Sequence, residues 1–480
     1  MNDGIIRELD SLFYPKNIAV IGASPKATGF LWGGNSFLEG AIKLNFKGKL
    51  YPVHPTAESI LGLTAYKSIL DIPDEVDLVI FSVPHSVVLK VMEECVEKKV
   101  KFVHLFTAGF SETGLEENIS LEKQLISMAK KGGVRVIGPN CMGLYCPEGG
   151  LSWSKSMPGK IGTTGFLSQS GQLAGHFVDT GEHHGLSFSK VVSFGNSSDL
   201  KCHDFLKYLA LDEKTKSIGA YLEGLKDGKA FFQTARELTR KKPLVAWKGG
   251  QTEGGSRATT SHTASIAGSQ AVWQSMCKQA GIIQVHSLDE MVFTLTAFQK
   301  LPLTGGTNVA ILGGAGGGSV TMTDLAEKEG LKVPRLSENS INELRTFVPL
   351  QGSSVANPLD MMVTLFDIKN FIRTMELLRD DPNIDALIFL QPIHWSHQVG
   401  GRAFLDAFIK MTTDGMKVLE KPMLVALEHT LTLDGEVVRR EAFEKYHQVG
   451  IAAFPSFPMA AKVLSNLDQY KKYLDAEHAR

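Results

Sequence analysis

Residues 257–268 read Arg-Ala-Thr-Thr-Ser-His-Thr-Ala-Ser-Ile-Ala-Gly, with a single histidine, His262, among small and hydroxylated residues. Just upstream lies an apolar run, 243–247, followed by Lys248, Gly249 and Gly250. That order predicts a buried strand, a flexible glycine loop carrying His262, and a helix that begins near Ala267. An imidazole on such a loop can attack a phosphoryl group, carry it and give it up again. A loop histidine can equally do no more than hydrogen-bond its neighbours, so the surroundings decide.

Three further features follow short apolar runs in the same third of the chain. Gln169, Ser170 and Gly171 come after the run 165–168 and open a helical pattern through Leu173, Ala174, Phe177 and Val178. Ser and Gly at a strand-to-helix turn leave backbone N–H groups free for an anion such as phosphate. Asn196 follows the run 190–194, and Glu223, flanked by Gly224, follows 217–222. A carboxylate can fix the tautomer of a phosphoryl-carrying imidazole and stabilise the cationic ring formed during transfer. Glu223 alone would read equally well as a solvated turn carboxylate. With the anion turn and His262 at the same predicted sheet edge, the set reads as a phosphoryl-transfer site.

The elements that must position these residues are short strands alternating with helices. Apolar runs at 17–24, 50–53, 76–83, 100–107 and 134–137 alternate with helical patterns at 87–98 and 121–130. Near-continuous apolar strands argue for a parallel sheet covered on both faces. The fold class is therefore α/β, opening with a Rossmann-like domain of the doubly wound kind. Its first turn, Gly22, Ala23 and Ser24, runs into Pro25 instead of a G-x-G-x-x-G fingerprint, and the second strand ends Tyr-Pro-Val-His-Pro without an acidic residue. Nothing there would hold the ribose of NAD, which points to another nucleotide-containing ligand, with small residues letting the backbone approach it. The middle unit has runs at 165–168, 190–194, 217–222, 243–247 and 282–285. Ligands bind at the C-terminal edge of such a sheet. A third unit follows a linker at 301–306, with runs at 308–312, 386–390, 423–427 and 450–454 and a glycine-rich turn at 313–318. That turn lacks the Gly-Lys-Ser/Thr of a P-loop.

The 480 residues suffice for about three domains. Fifty Lys and Arg balance 51 Asp and Glu, which gives no basic surplus for nucleic acid. No apolar run is long enough to span a bilayer and the N-terminus does not read as a signal peptide. Five scattered cysteines complete no metal site and read as reduced thiols, so the expectation is a cytoplasmic protein that binds no metal of its own.

The chain resembles the α subunit of the nucleoside-diphosphate-forming acyl-CoA synthetases, relatives of succinyl-CoA synthetase. The marks are Ile-Ala-Val-Ile-Gly-Ala-Ser at 18–24, Thr-Ala-Gly-Phe-Ser-Glu at 107–112, Gly-Pro-Asn-Cys-Met-Gly at 138–143 and Ser-Gln-Ser-Gly at 168–171. Further marks are Ser-Phe-Gly-Asn at 193–196, Tyr-Leu-Glu-Gly at 221–224, Ser-His-Thr at 261–263 and Asn-Pro-Leu-Asp at 357–360.

The resemblance implies a CoA-binding Rossmann-like domain at 1–145 and two flavodoxin-like parallel α/β domains at 146–303 and 304–480. It implies that coenzyme A lies against Gly22, Ala23, Ser24, Val83, Pro84, Thr107 and Ala108. It implies a phosphohistidine at His262 with Glu223 as its carboxylate, phosphate at Gln169, Ser170 and Gly171, and Asn140 and Asn196 near the substrate. The implied reaction is acyl-CoA + ADP + phosphate ⇌ acid + CoA + ATP on a small carboxylic acid. ATP or ADP with Mg²⁺ is expected on a separate ATP-grasp β subunit in an α2β2-type assembly, because no segment reads as an ATP-grasp fold. A CoA-binding regulatory or acyl-transfer protein without the nucleotide half-reaction is the alternative. The chain departs from the family at His54, Thr107 and Ala264, where asparagine, serine and glycine are usual; alanine at 264 removes loop freedom that glycine has.

Overall fold

The computed structural model describes residues 4–25, 33–263, 269–303, 305–314, 316–428, 430 and 432–479. The chain forms two compact units. The first comprises 1–182 and 186–288, the second 183–185 and 289–480.

The first unit holds two sheets. In one, strands Lys49–Val53, Asn17–Ile21, Leu78–Phe81, Phe102–Leu105 and Arg135–Ile137 lie side by side in that order, all parallel. In chain order this is 2-1-3-4-5, a doubly wound arrangement whose switch point falls beside the first strand. Leu78–Phe81 and Phe102–Leu105 are buried at every residue. Both faces are therefore covered, which is what their unbroken apolar runs require. Five strands were expected here and five are present. A short hairpin, Ser59–Ile60 with Leu63–Thr64, is an addition the sequence did not suggest.

The other sheet repeats the same order. Phe188–Ser193, Ile161–Ser168, Ser217–Leu222, Leu244–Lys248 and Ile283–Val285 are neighbours and parallel. A sixth strand, Gly143–Tyr145, pairs antiparallel with Phe188–Ser193. The expectation of a wholly parallel sheet is corrected at this edge. Three residues give no readable alternation, and Tyr145 is held by packing against Trp153 and Phe188.

The expected glycine loop around His262 is also corrected. Residues Glu253–Thr263 are helical, so the His262 backbone sits in a helix's last turn. Thr252 starts that helix: its Oγ1 accepts from the Gly255 N–H at 3.1 Å, as an N-cap hydroxyl does. The glycine loop shrinks to Gly249, Gly250 and their neighbours. A second helix runs Gln270–Ala280; its expected start at Ala267, like Ala264, lies outside the described residues.

The second unit holds one parallel sheet, Val309–Leu312, Ala386–Gln391, Met423–Leu427 and Ala453–Phe454. Two isolated parallel bridges, Asn308 to Lys332 and Leu312 to Leu359, adjoin the two ends of Val309–Leu312. In chain order the four strands lie 1-2-3-4. Among the described residues no helix is long and apolar enough to cross a membrane.

Candidate functional site

The C-terminal edge of the middle sheet carries Glu223. The strand Ser217–Leu222 ends there, and Asp227 caps the next helix, Gly228–Thr239, by accepting from the Ala230 N–H at 2.9 Å. Glu223 is 6% exposed. The Gln169 side-chain oxygen accepts from the Glu223 and Gly224 N–H groups at 2.8 and 3.1 Å. Gln169 comes from the adjacent strand end, and its own N–H donates to the Tyr221 carbonyl at 3.1 Å. The role of Gln169 is thus to hold the Glu223 turn. Ser170 closes the next turn, with its Oγ receiving the Leu173 N–H at 3.4 Å, and Gly171 begins the helix Gly171–His183. A Cβ on Gly171 would approach Met142 Cγ to 2.7 Å, so a larger residue there would have to displace the Met142 side chain.

Lys248 completes the arrangement, and the motif reading missed it. It is the last residue of Leu244–Lys248, 7% exposed, and its ammonium donates to the carbonyls of Glu223 and Gly249 at 2.6 and 2.5 Å. Burial lowers its pKa below the ordinary lysine range, and the negative charge of Glu223 works against that shift. Burial, then the Glu223 carboxylate, raise the pKa of the Tyr221 phenol. The Tyr221 phenol and the Glu223 carboxylate are also joined by a side-chain hydrogen bond, which raises the phenol further. The available signal for Lys248 was a cation closing an otherwise apolar run.

Asn196 does not stand free at the edge. Its amide donates to Glu112 Oε2 at 2.6 Å and Glu122 Oε2 at 3.1 Å. Glu112 in turn accepts from the Gly109 and Phe110 N–H groups at 2.7 and 3.1 Å, and Glu122 accepts from the Ser111 N–H at 3.0 Å and from the Ser198 hydroxyl. Asn196 therefore joins the loop after Phe102–Leu105 to the loop after Phe188–Ser193. Asn140 lies nearby with φ +56°. Its N–H donates to the Thr107 carbonyl, while the Asn196 N–H donates to the Pro139 carbonyl, both at 3.0 Å. The structure thus brings Asn140, Asn196 and Thr107 into one network. Glu122 was not anticipated, because it sits inside the helix Glu116–Lys131 away from any motif.

The residues expected to hold CoA gather at the edge of the first sheet. Gly22 has φ +96°, and a Cβ there would come within 2.0 Å of the Ser82 carbonyl oxygen. Gly34, at the start of the helix Gly34–Lys43, is equally constrained, its Cβ falling 2.5 Å from the Ala23 nitrogen. Asn35 fastens the two, accepting from the Ser24 N–H at 2.8 Å and donating to the Ser24 carbonyl at 2.9 Å. The Thr107 hydroxyl donates to the Val83 carbonyl at 2.7 Å. Gly22, Pro84 and Ala108 are exposed on the rim and Val83 is half-buried there, while Ala23 is buried. The result is a glycine-lined turn beside a helix N-terminus at the sheet's switch point, a place where backbone can meet a phosphate. His54, where the family has asparagine, uses its Nδ1 to accept from the Thr56 and Ala57 N–H groups at 3.2 and 3.0 Å. An imidazole there does the work of an Asx turn.

The His262 side chain lies outside the described residues, but its helix is placed. Helix Glu253–Thr263 packs on the turn Ser111–Thr113. A Cβ on Gly250 would lie 2.7 Å from Thr259 Oγ1, so the helix folds back onto the glycine turn three residues before His262. No cluster of three metal-ligating side chains is present among the described residues. All five cysteines are buried free thiols; burial pushes that of Cys146 up to about 11.

The second unit carries a different cavity, of about 390 Å³, at the end of its first strand. Its wall is mostly apolar, with Leu365, Phe366, Leu390 and Trp395, and the glycine turn, Asp360 and Glu428 complete it. Burial raises the Glu428 carboxyl above the usual range.

Three known domain families match in series: a CoA binding domain at 16–147, a succinyl-CoA ligase-like flavodoxin domain at 161–298 and a ligase-CoA domain at 309–473. The chain is 43% identical over 382 residues to the acetate–CoA ligase [ADP-forming] II subunit alpha of Pyrococcus furiosus, covering 79% of this chain and 81% of that one. It is 36% identical over 482 residues to the acetate–CoA ligase [ADP-forming] II of Archaeoglobus fulgidus, covering 98% of this chain and 68% of that longer one. Among solved structures it is similar to the dinucleotide forming acetyl-coenzyme A synthetase 1 of Ca. Korarchaeum cryptofilum in complex with phosphate and ADP. That match has a TM-score of 0.85, 32% identity and 98% coverage of both chains.

Proposed function

The chain belongs to the ADP-forming acyl-CoA synthetase family of acid–thiol ligases, and from that premise we propose that it acts as an α subunit working through a phosphohistidine. The reaction is acyl-CoA + ADP + phosphate ⇌ carboxylic acid + CoA + ATP. Phosphate attacks the thioester carbonyl, the carbon–sulfur bond breaks, and CoA leaves as the thiolate. A nitrogen of His262 then takes the phosphoryl group from the acyl phosphate, releasing the carboxylate. ADP finally takes it from the imidazole.

The observation that carries this reading is the fixing of Glu223. A carboxylate held by its own backbone, at 6% exposure and beside the root of the His262 helix, suits orientation of a phosphoryl-carrying ring. The Gly171 helix start and the turn before it supply the amides for the phosphoryl oxygens. The glycine turn at 22–24, with Val83, Pro84, Thr107 and Ala108, takes CoA. Asn140 and Asn196 hold the loops between these two places. The domains run 1–145, 146–303 and 304–480. ADP and its Mg²⁺ sit on a separate ATP-grasp β subunit in an α2β2 assembly in the cytoplasm; a relative named as a subunit alpha supports this division.

The test is reconstitution. The chain mixed with a candidate β chain should form ATP from acetyl-CoA, ADP and phosphate, and the chain alone should not. ADP-dependent turnover by the chain alone, with mass spectrometry finding no copurified partner, would contradict the two-subunit reading.

A further inference from the structure

Lys248 is buried and charged, takes no part in the proposed reaction steps, and makes specific contacts. The ammonium spans two neighbouring strand ends. On one side it donates to the carbonyl of Glu223, at 2.6 Å, and on the other to the carbonyl of Gly249, at 2.5 Å. The same two turns are stitched by the Gly249 N–H donating to the Leu222 carbonyl at 2.8 Å. Gly249 lies so close that a Cβ there would meet the Tyr221 hydroxyl at 2.7 Å and Glu223 Cγ at 3.5 Å. Past Gly249, the Gln251 side chain donates to the Lys248 carbonyl at 2.6 Å, and the helix that carries His262 begins at Glu253. Lys248 thus bonds both the Glu223 turn and the root of the His262 segment.

We infer that Lys248 is a positioning residue for phosphoryl transfer, setting the Glu223 turn against the glycine root of the His262 helix. The inference rests on the phosphohistidine reading. A carbonyl–ammonium–carbonyl bridge fixes the distance between the two turns through main-chain oxygens and does not draw on the Glu223 carboxylate. Its positive charge lies next to that carboxylate in a site that must accept a phosphoryl dianion, where a fixed cation is worth more than in water. In this role Lys248 acts through the Glu223 turn and the Gly249–Gly250 turn, which its ammonium ties together.

The experiment measures the rate of His262 phosphorylation from acetyl-CoA and phosphate. It uses the full chain, in wild type, Lys248→Met, Lys248→Gln and Glu223→Gln, and in the Glu223→Gln variant carrying each Lys248 change. CoA affinity and thermal melting are followed alongside. Lys248→Met should slow phosphorylation about 100-fold, the scale of a small misplacement at a reacting centre, with CoA affinity unchanged. In the Glu223→Gln background the same change should cost less than about threefold, because coupled neighbours are not additive. If Lys248→Met does not fold, Lys248→Gln, which keeps a donor without the charge, carries the same comparison. Wild-type rates in either folded variant, or equal losses with and without Glu223, overturn the inference and leave the phosphohistidine reading intact. Absence of any phosphoryl adduct in the wild type overturns that reading, and the inference with it.

Discussion

The middle sheet and the sheet of the second unit are both built of parallel strands followed by helices, yet their first turns have been put to different use. In the middle sheet, Gln169, Ser170 and Gly171 lead into a helix, and the neighbouring strand ends supply Glu223 and Lys248, both nearly fully buried and hydrogen-bonded. In the second unit, Gly313, Gly314 and Gly316 all have positive φ before the helix Gly317–Lys328. There the neighbouring strand ends supply Leu390, Pro392 and Glu428 around an open, mostly apolar cavity. The topology gives each sheet a helix N-terminus after its first parallel strand. The residues just past the other strands decide whether that place becomes a charged clamp or an apolar hollow. A buried charge is costly to hold, and under the proposed function the clamp is the edge where the chemistry takes place.

Exchanging charge for shape at the two edges should give opposite results. Glu223→Gln should slow phosphorylation by at least ~100-fold, the usual scale for losing an acid–base or orienting group. Initial rates of ³²P incorporation measure it, and an unchanged rate would return Glu223 to the rank of a turn carboxylate.

A smaller loss is expected at the first sheet. Gly22→Ala forces a side chain into a left-handed backbone and against the Ser82 carbonyl. Strain of that kind costs about 1–3 kcal/mol, so CoA affinity by calorimetry should fall roughly 10- to 100-fold. Unaltered affinity would move CoA away from this turn.

The third effect is one of stability. His104 is 2% exposed, with Nε2 3.1 Å from the Cys141 carbonyl, and burial lowers its pKa to about 4. A folded pKa below the unfolded value of about 6.5 means that stability is fully present above 6.5 and is lost as pH falls towards 4. The neutral ring's contribution is on the order of 3 kcal/mol at pH 7. Denaturant melts of the wild type should weaken between pH 6.5 and 4, and His104→Gln should flatten that slope; identical slopes would refute the assignment.

The smallest effect belongs to the second unit's cavity. Glu428→Gln should change phosphorylation of His262 by less than about twofold, since the charge clamp lies on the other sheet. A loss as large as that of Glu223→Gln would erase the distinction between the two edges.

Much of this contrast was legible in the sequence. Ser217–Leu222 and Met423–Leu427 fall where the apolar runs place them; the second is apolar and buried at every residue, and the first is buried at all but Tyr221. Glu223 and the Gln169 turn were visible as polar residues after such runs. The helix Glu253–Thr263 was not, because Gly254, Gly255 and the Thr and Ser residues have poor helix propensity, and Thr252 capping and tertiary packing outweigh it. The antiparallel strand Gly143–Tyr145 was too short to show a period. Lys248 and Asn196 were legible as residues but not as clamps, since their partners are 25 and 74–84 positions away in the chain.

The central claim, that a phosphoryl group rides on His262, is tested most directly by its chemistry. The full chain is incubated with acetyl-CoA and labelled phosphate, digested at alkaline pH and mapped by mass spectrometry. The account predicts one adduct, stable in base, lost in acid, and located at His262, absent in His262→Ala although that variant still binds CoA. A normal yield of label in His262→Ala, or an adduct at another residue, would contradict it.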